Sequence, residues 1–284
     1  MSMPNSAMSG KTVIITGATS GIGEIAALRL AEQGARIVFT ARDRERANDT
    51  LAKLCRVNPS AGHSLHMGDL STLAEMKRVG SELAREPKID VLINNAGALF
   101  NKRQETADGL EMTFAVNHMA YFVITNLLLA KLTSGARIVT TASNAHRGAK
   151  LNFDDLQSRR GYAGFPVYSR SKLCNILFNR ELARRAPAGV TANSLHPGFV
   201  ATRFGDQSGG IMQRLVRVAK PIGAISPEDG ARTIVYLAAS PEVADITGQY
   251  FYESKITRPT VEAQNDADAR RLWEVSEQIA AIGA

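Results

Sequence analysis

The chain has 284 residues, of which 44% are hydrophobic, and a formal net charge of +7. A chain of this length can bury a full core, and no low-complexity tract interrupts it. A basic charge could indicate nucleic-acid binding, but acidic residues interrupt the basic ones between Arg42 and Arg46, and no nucleic-acid-binding motif is present. We therefore expect a soluble protein that binds an anionic small ligand and no nucleic acid.

Residues 1–10 are small and polar, without the apolar run of a signal peptide, and we predict a disordered lead-in. Even residues 121–132 are interrupted by polar side chains, so no segment reaches the eighteen or more apolar residues that a transmembrane helix needs. Cys55 and Cys174 belong to no metal-ligand or redox spacing and are expected to be reduced and buried. These features predict a cytoplasmic protein with no integral membrane segment and no bound metal.

Short β-branched runs alternate with longer segments of helical periodicity. Strands are predicted at residues 12–16, 37–40, 89–93, 137–141 and 190–195, and helices at residues 22–33, 73–85, 110–132 and 168–185. Repeated strand–helix units predict one α/β domain over residues 11–284, a Rossmann-type, doubly wound and mostly parallel sheet of about seven strands with helices on both faces. In such a sheet the ligand binds outside the carboxyl ends of the strands.

A glycine-rich turn follows the first predicted strand and opens the first predicted helix. Glycine lets the backbone turn tightly and approach a pyrophosphate, whose charge is stabilised by the free N–H groups at a helix N-terminus. Its position on the first strand predicts a dinucleotide site. The predicted contacts in this turn are Gly17, Thr19, Ser20, Gly21, Ile22 and Gly23.

The spacing Gly-x-x-x-Gly-x-Gly in this turn resembles that of the short-chain dehydrogenase/reductase family. Arg42 follows the second strand, where an acidic side chain would accept hydrogen bonds from the ribose of NAD. Its guanidinium can instead pair with a 2′-phosphate, so NADP(H) is the preferred cofactor, while the neighbouring Asp43 keeps NAD(H) possible.

Tyr168 and Lys172 are four residues apart and lie on one face of the predicted helix. A cation within reach favours the phenolate and should lower the pKa of the tyrosine. The family resemblance implies that Tyr168 is the general acid and base, and that Lys172 also holds the nicotinamide ribose. It further implies that Ser143 hydrogen-bonds the substrate oxygen and that Asn117 holds a water linking Lys172 to solvent.

The same resemblance implies further cofactor contacts beyond the glycine turn and Arg42. An aspartate after the third strand would contact the adenine, a segment after the fourth strand would line the cleft, and a segment after the sixth would flank the nicotinamide carboxamide. These residues are Asp69, Leu70, Asn95, Ala96, Gly97, Pro197, Gly198, Val200 and Thr202.

Residues 151–156, 171–178 and 271–274 resemble the retinol dehydrogenase and WW-domain oxidoreductase branch of the family. This resemblance implies a hydrophobic alcohol or carbonyl substrate, and the family usually forms homodimers or homotetramers. Residues 205–225 are predicted to cap the substrate cleft with a basic amphipathic segment; a surface helix packed on the core is the alternative. The predicted function is an NADP(H)-dependent alcohol–carbonyl oxidoreductase, and the alternative is a catalytically weak NADP-binding redox sensor or scaffold.

Overall fold

The computed structural model describes residues 6–198 and 225–282. A short 3-10 helix, Ser6–Met8, precedes the first strand. The side chain of Met8 is buried, and its N–H donates to the carbonyl of Gln33 at 3.0 Å. The prediction of a disordered lead-in is therefore wrong from residue 6 onward, because Met8 packs on the core. The predicted cleft cap lies outside the described residues, except for Ile225.

Eight strands form one sheet in the order β3-β2-β1-β4-β5-β6-β7-β8. They are β1 (Thr12–Thr16), β2 (Arg36–Ala41), β3 (Ser64–Met67), β4 (Ile89–Asn94), β5 (Leu132–Thr141), β6 (Thr191–Leu195), β7 (Tyr250–Tyr252) and β8 (Lys255–Ile256). The first seven pair in parallel, and β8 pairs antiparallel with β7 at the edge. The predicted sheet of about seven strands is thus confirmed, with one short antiparallel strand added.

The strand order reverses beside β1. The chain passes from β1 outward through β2 and β3, and then returns to place β4 on the other side of β1. At such a switch point the connections leave the sheet toward opposite faces, and a crevice opens between them at the carboxyl ends of the strands. The segments that follow β1 and β4 therefore border the predicted ligand site.

Helices cover both faces of the sheet. They are α1 (Gly21–Glu32), α2 (Arg44–Val57), α3 (Leu73–Leu83), α4 (Met112–Phe114), α5 (Ala120–Leu129), α6 (Gly164–Arg185), α7 (Pro227–Ala239) and α8 (Asp266–Ala280). One hydrophobic core lies under α1, α2 and α7, and the other under α3, α5, α6 and α8.

Adjacent residues of each strand face opposite cores. Val13 and Ile15 belong to the core under α1, whereas Ile14 between them belongs to the core under α5. Side chains of a strand alternate between the two faces of the sheet, and both faces are covered here. This is why the central strands are continuous apolar runs in the sequence.

The helical stretch that contains Asn117 is irregular. It begins at Met112, where the carboxylate of Glu111 accepts the N–H groups of Thr113 and Phe114, each at 2.8 Å. Between α4 and α5, Ala115–Met119 forms a π-helical turn. Such turns are rare and frequently occur at functional sites. The helix predicted over residues 110–132 also ends earlier than expected, at Leu129, and Leu132 begins β5.

Among the described residues, Met112–Leu129 is the one helical stretch long and apolar enough to cross a membrane by length and composition alone. Its residues are 72% buried inside the protein. That degree of burial is typical of a central helix that packs between a sheet and neighbouring helices.

Two further expectations need correction. Helix α6 begins at Gly164, four residues before the predicted start. Cys174 is buried as expected, but Cys55 is exposed. The buried positions of α2 are Ala47, Thr50 and Leu54, so Cys55 lies off the face that packs on the core.

Candidate active site

The glycine turn after β1 has the backbone that its sequence predicts. Gly17 and Gly21 have φ values of +72° and +58°, which favour glycine. A Cβ on Gly17 would lie 2.7 Å from the Cα of Ala96, and a Cβ on Gly23 would clash with the carbonyl oxygen of Gly17. Only glycine fits at these two positions, because a side chain on either would clash with neighbouring atoms of the protein itself.

The first turn of α1 provides unpaired N–H groups at the end of this loop. Ser20 is the N-cap residue, but its side chain forms no capping hydrogen bond. Ser20 is exposed, so its hydroxyl is available to a ligand. A phosphate at this position would therefore meet both backbone and side-chain donors.

Thr16 ties the glycine turn to the segment after β4. Its Oγ1 accepts the N–H groups of Asn95 and Ala96 at 3.0 and 3.1 Å. The side-chain amide of Asn95 donates to the carbonyls of Thr16 and Gly17 at 3.2 and 3.1 Å. The predicted residues Asn95 to Gly97 thus lie against the predicted phosphate loop. No role was predicted for Thr16, although a polar residue at the end of a buried strand was a usable signal.

The two charged residues after β2 are used differently. Arg42 is exposed immediately after the strand ends. Asp43 is the N-cap of α2, and its Oδ1 accepts the N–H of Arg46 at 3.0 Å. The carboxylate of Asp43 therefore caps α2, and Arg42 is the exposed residue between that cap and the end of β2.

Asp69 and Leu70 follow the carboxyl end of β3. Asp69 is exposed, and its Oδ1 accepts the N–H of Ser71 at 3.2 Å in a local turn. The side chain of Leu70 is buried in the core under α5. Leu70 can therefore contribute only its backbone to the predicted adenine site.

Ser143, Tyr168 and Lys172 are brought together from two elements. Ser143 follows β5, and its side chain is hydrogen-bonded to that of Tyr168 on α6. The Nζ of Lys172 lies 5.7 Å from the centroid of the Tyr168 ring. It donates to the carbonyl of Thr141, the last residue of β5, at 3.1 Å. Two hydroxyls and a buried amine thus meet at the carboxyl end of one strand.

Burial controls the ionisation of this group. It raises the pKa of Tyr168 above its ordinary value, against a smaller opposing effect of the Ser143 hydrogen bond. It lowers the pKa of Lys172 to about 7. The expectation that Lys172 lowers the pKa of Tyr168 is wrong for the protein without cofactor, because loss of solvent disfavours both charged forms.

Asn117 lies in the π-helical turn and holds the segment after β4. Its Oδ1 accepts the N–H of Ala98 at 2.8 Å, and its Nδ2 donates to the Ala98 carbonyl and to Ser171 Oγ, each at 2.9 Å. A Cβ on Gly97 would lie 3.3 Å from Asn117 Oδ1 and 3.5 Å from Lys172 Nζ. The side chain of Asn117 is occupied by protein, so the predicted water would need its main-chain carbonyl and stays a prediction.

Pro197 and Gly198 follow β6 at the same edge of the sheet. Gly198 has a φ of +90°, and its N–H donates to Nδ1 of His196 at 3.2 Å. Val200 and Thr202, the other predicted contacts of this segment, lie outside the described residues.

Sequence reasoning missed two side chains next to the predicted site. Tyr121 on α5 is buried, and Lys172 Nζ lies 6.0 Å from its ring centroid. His146 is buried one turn after Ser143.

His118, to which no role was assigned, is packed between phenylalanines, and its Nε2 lies 2.8 Å from Ser276 Oγ. Burial lowers the pKa of His118 to about 3, so it is a neutral core residue.

Within residues 6–198 and 225–282, no three His, Cys, Asp or Glu side chains are grouped in a way that could hold a metal ion.

Replacing Lys172 with Met should change stability in a pH-dependent way. Folding lowers the pKa of Lys172 from 10.5 to about 7, so between these values the unfolded chain binds a proton that the folded protein does not. The free energy of unfolding of the unmodified protein should therefore rise, relative to that of Lys172→Met, as the pH increases across this range. Urea unfolding without cofactor measures this difference, with Lys131→Met at an exposed position as control. A difference that is independent of pH would contradict the burial effect.

Known proteins resemble this chain over most of its length. It matches the short chain dehydrogenase family over residues 11–209. Retinol dehydrogenase 14 of Homo sapiens is 41% identical to it over 95% of this chain and 86% of that protein. A Streptomyces sp. (strain C5) protein provisionally named as a daunorubicin C-13 ketoreductase is 39% identical over 99% of this chain and 95% of its own length.

Solved structures share the fold. An uncharacterised protein from Mycobacterium paratuberculosis aligns with a TM-score of 0.77 and 30% identity, over 96% of this chain and 94% of that one. A short chain dehydrogenase from Burkholderia cenocepacia J2315, solved in complex with NADP, aligns with a TM-score of 0.68 and 27% identity. The alignment covers 86% of this chain and 96% of that one. The chain therefore belongs to the short-chain dehydrogenase/reductase family, is similar to its retinol dehydrogenases, and is an oxidoreductase that acts on CH–OH groups.

Proposed function

We propose that the protein is an NADP(H)-dependent oxidoreductase that interconverts a hydrophobic alcohol and its aldehyde or ketone. The observation that carries this proposal is the hydrogen bond between Ser143 and Tyr168, with the amine of Lys172 beside the tyrosine ring. The glycine turn lies across the same crevice and would hold the cofactor. Bound NADPH supplies a hydride, and the protein must then supply only the proton and the positioning.

The glycine turn fits a dinucleotide because it follows β1 and opens the first turn of α1, where free backbone N–H groups can bind a phosphate. The preference for NADP(H) rests on Arg42, whose guanidinium can pair with a 2′-phosphate in bidentate fashion. One carboxylate oxygen of Asp43 is engaged in capping α2, which makes Asp43 a weaker competitor for the ribose. The complex of the Burkholderia relative with NADP is consistent with this assignment.

In the reductive direction Tyr168 would donate its proton to the carbonyl oxygen while Ser143 hydrogen-bonds the same oxygen. The raised pKa of Tyr168 keeps the phenol protonated near neutrality, which is the form that reduction requires. The charge left on the phenolate would be stabilised by Lys172 in its ammonium form. Because the pKa of Lys172 is about 7, this residue can gain and lose a proton near neutral pH.

An apolar surface beside Tyr168 supports a hydrophobic substrate. The side chain of Phe165 lies on the first turn of α6 and is 47% exposed, with its ring centroid 6.4 Å from that of Tyr168. Relatives named for retinol and for daunorubicin suggest a polyene alcohol or a polycyclic ketone as the first substrates to test. We also propose a cytoplasmic location, on the cysteine usage and the lack of a long apolar run in the sequence, and a homodimer or homotetramer, on the family resemblance.

Replacing Tyr168 with Phe should lower kcat by about 100- to 10,000-fold, because the proton donor is lost while the ring is kept. Stopped-flow measurement of NADPH oxidation across aliphatic, aromatic, retinoid and polycyclic carbonyls would show this, while NADPH binding stays unchanged. Tyr236→Phe is the matched control, because among the described residues the Tyr236 hydroxyl is hydrogen-bonded only to Glu242. Activity of Tyr168→Phe close to that of the unmodified enzyme would refute the assignment. Absence of multiple turnovers with every carbonyl would favour the redox sensor or scaffold instead.

Replacing Arg42 with Ala should raise the KM for NADPH by about 10- to 100-fold, since a charge-assisted hydrogen bond contributes about 1.5–3 kcal/mol. The KM for NADH should change little. Arg44→Ala removes a neighbouring exposed arginine in the first turn of α2 and should leave both values near those of the unmodified enzyme. An equal rise in KM for both cofactors, or a preference of the unmodified enzyme for NADH, would contradict the role of Arg42.

A further inference from the structure

A buried histidine lies directly behind the candidate serine. His146 ends the short 3-10 helix Asn144–His146, for which Ser143 is the N-cap. None of its surface is exposed, and its ring packs against that of Tyr250 on β7. No role was predicted for this residue from the sequence.

Both ring nitrogens of His146 form hydrogen bonds to the backbone. Nδ1 lies 2.7 Å from the carbonyl oxygen of Ser143, and Nε2 lies 3.3 Å from the N–H of Thr260. A carbonyl can only accept and an amide N–H can only donate. The neutral tautomer with its proton on Nδ1 is therefore the one form that satisfies both partners.

We propose that His146 is a positioning residue that sets the orientation of Ser143 for catalysis. The inference rests on the proposed function, because it assigns Ser143 the substrate oxygen. Ser143 Oγ accepts the N–H of Ala145 at 3.1 Å and bonds Tyr168, so its place depends on the backbone of its own residue. His146 fixes that backbone at the carbonyl and anchors it to Thr260, which is 114 residues away in the sequence.

The packing around His146 supports a fixed ring. The ring of Tyr250 meets it edge to face, with centroids 5.3 Å apart and planes at 72°. Tyr250 also packs against His196, at 5.8 Å, and His196 accepts the N–H of Gly198. Tyr250 therefore contacts two histidines, each of which is hydrogen-bonded to the backbone of a nearby turn. Burial lowers the pKa of both histidines, which keeps them neutral as these contacts require.

Two substitutions at His146 separate its two hydrogen bonds. Asn has an amide at the position of Nδ1 and can still donate to the Ser143 carbonyl, whereas Gln reaches the position of Nε2 and can contact only Thr260. We expect His146→Gln to lose about 100-fold in kcat and His146→Asn to stay within about threefold, since small misplacement of reacting groups has effects of this size. Tyr250→Phe keeps the packed ring and removes the hydroxyl that lies 3.5 Å from His146 Nδ1; it leaves both backbone hydrogen bonds of His146 in place and is the control for a change in the same cluster.

The unmodified enzyme is assayed first, because absence of turnover would refute the proposed function before His146 is tested. The dissociation constant for NADPH should be the same in all variants, which separates a loss of positioning from a loss of folding. Equal activity of His146→Asn and His146→Gln, whether both retained or both lost, would overturn the proposal.

A measurement on the unmodified protein does not depend on the folding of any variant. In a sample with 15N-labelled histidine, NMR should show the proton of His146 on Nδ1 and that of His196 on Nε2 near neutral pH. A proton on Nε2 of His146, or a charged imidazolium at that pH, would overturn the proposal as well.

Discussion

The hydrogen bond between Lys172 and the carbonyl of Thr141 is the interaction on which the site depends. It joins α6 to the last residue of β5, and Asn175, one turn further along α6, donates to the same carbonyl at 3.2 Å. These two contacts fix the position of α6 along β5. As a result, Tyr168 lies next to Ser143. The arrangement removes an amine from solvent, which is costly for its charged form and explains its lowered pKa.

Hydrogen bonds at helix ends and bends also determine which side chains are available to bind a ligand. Asp43 caps α2 through its carboxylate, whereas the side chain of Ser20 at the start of α1 forms no capping hydrogen bond. Asn117 lies in a π-helical turn, and its side-chain amide is hydrogen-bonded to Ala98 and Ser171. The same kinds of residue thus have different roles according to how the nearest helix begins or bends.

The sequence predicted the features that are set locally. Strand and helix periodicity, the glycine turn at Gly17 and the spacing of Tyr168 and Lys172 each depend on residues that are close in the chain. The fold and the meeting of Ser143 with Tyr168 followed from the parallel topology and the family resemblance.

Features set by distant contacts could not be predicted. Thr16 is hydrogen-bonded to Asn95, which is 79 residues away in the sequence. His146 is hydrogen-bonded to Thr260, which is 114 residues away. The pKa of Tyr168 was predicted in the wrong direction because a four-residue spacing shows the charge of Lys172 but not the burial of both groups. Burial depends on how α5 and α6 pack over the sheet, and sequence spacing does not contain that information.

The proposed function requires that the crevice at the carboxyl edge of the sheet hold NADPH against a carbonyl whose oxygen is bound by Ser143 and Tyr168. Reduction of a carbonyl with NADPH deuterated at nicotinamide C4, one face at a time, tests it directly. Mass spectrometry of the alcohol should find deuterium on the carbinol carbon from one of the two stereoisomers, and none from the other. Hydrogen on that carbon derived from solvent, or no transfer from either stereoisomer, would contradict the account.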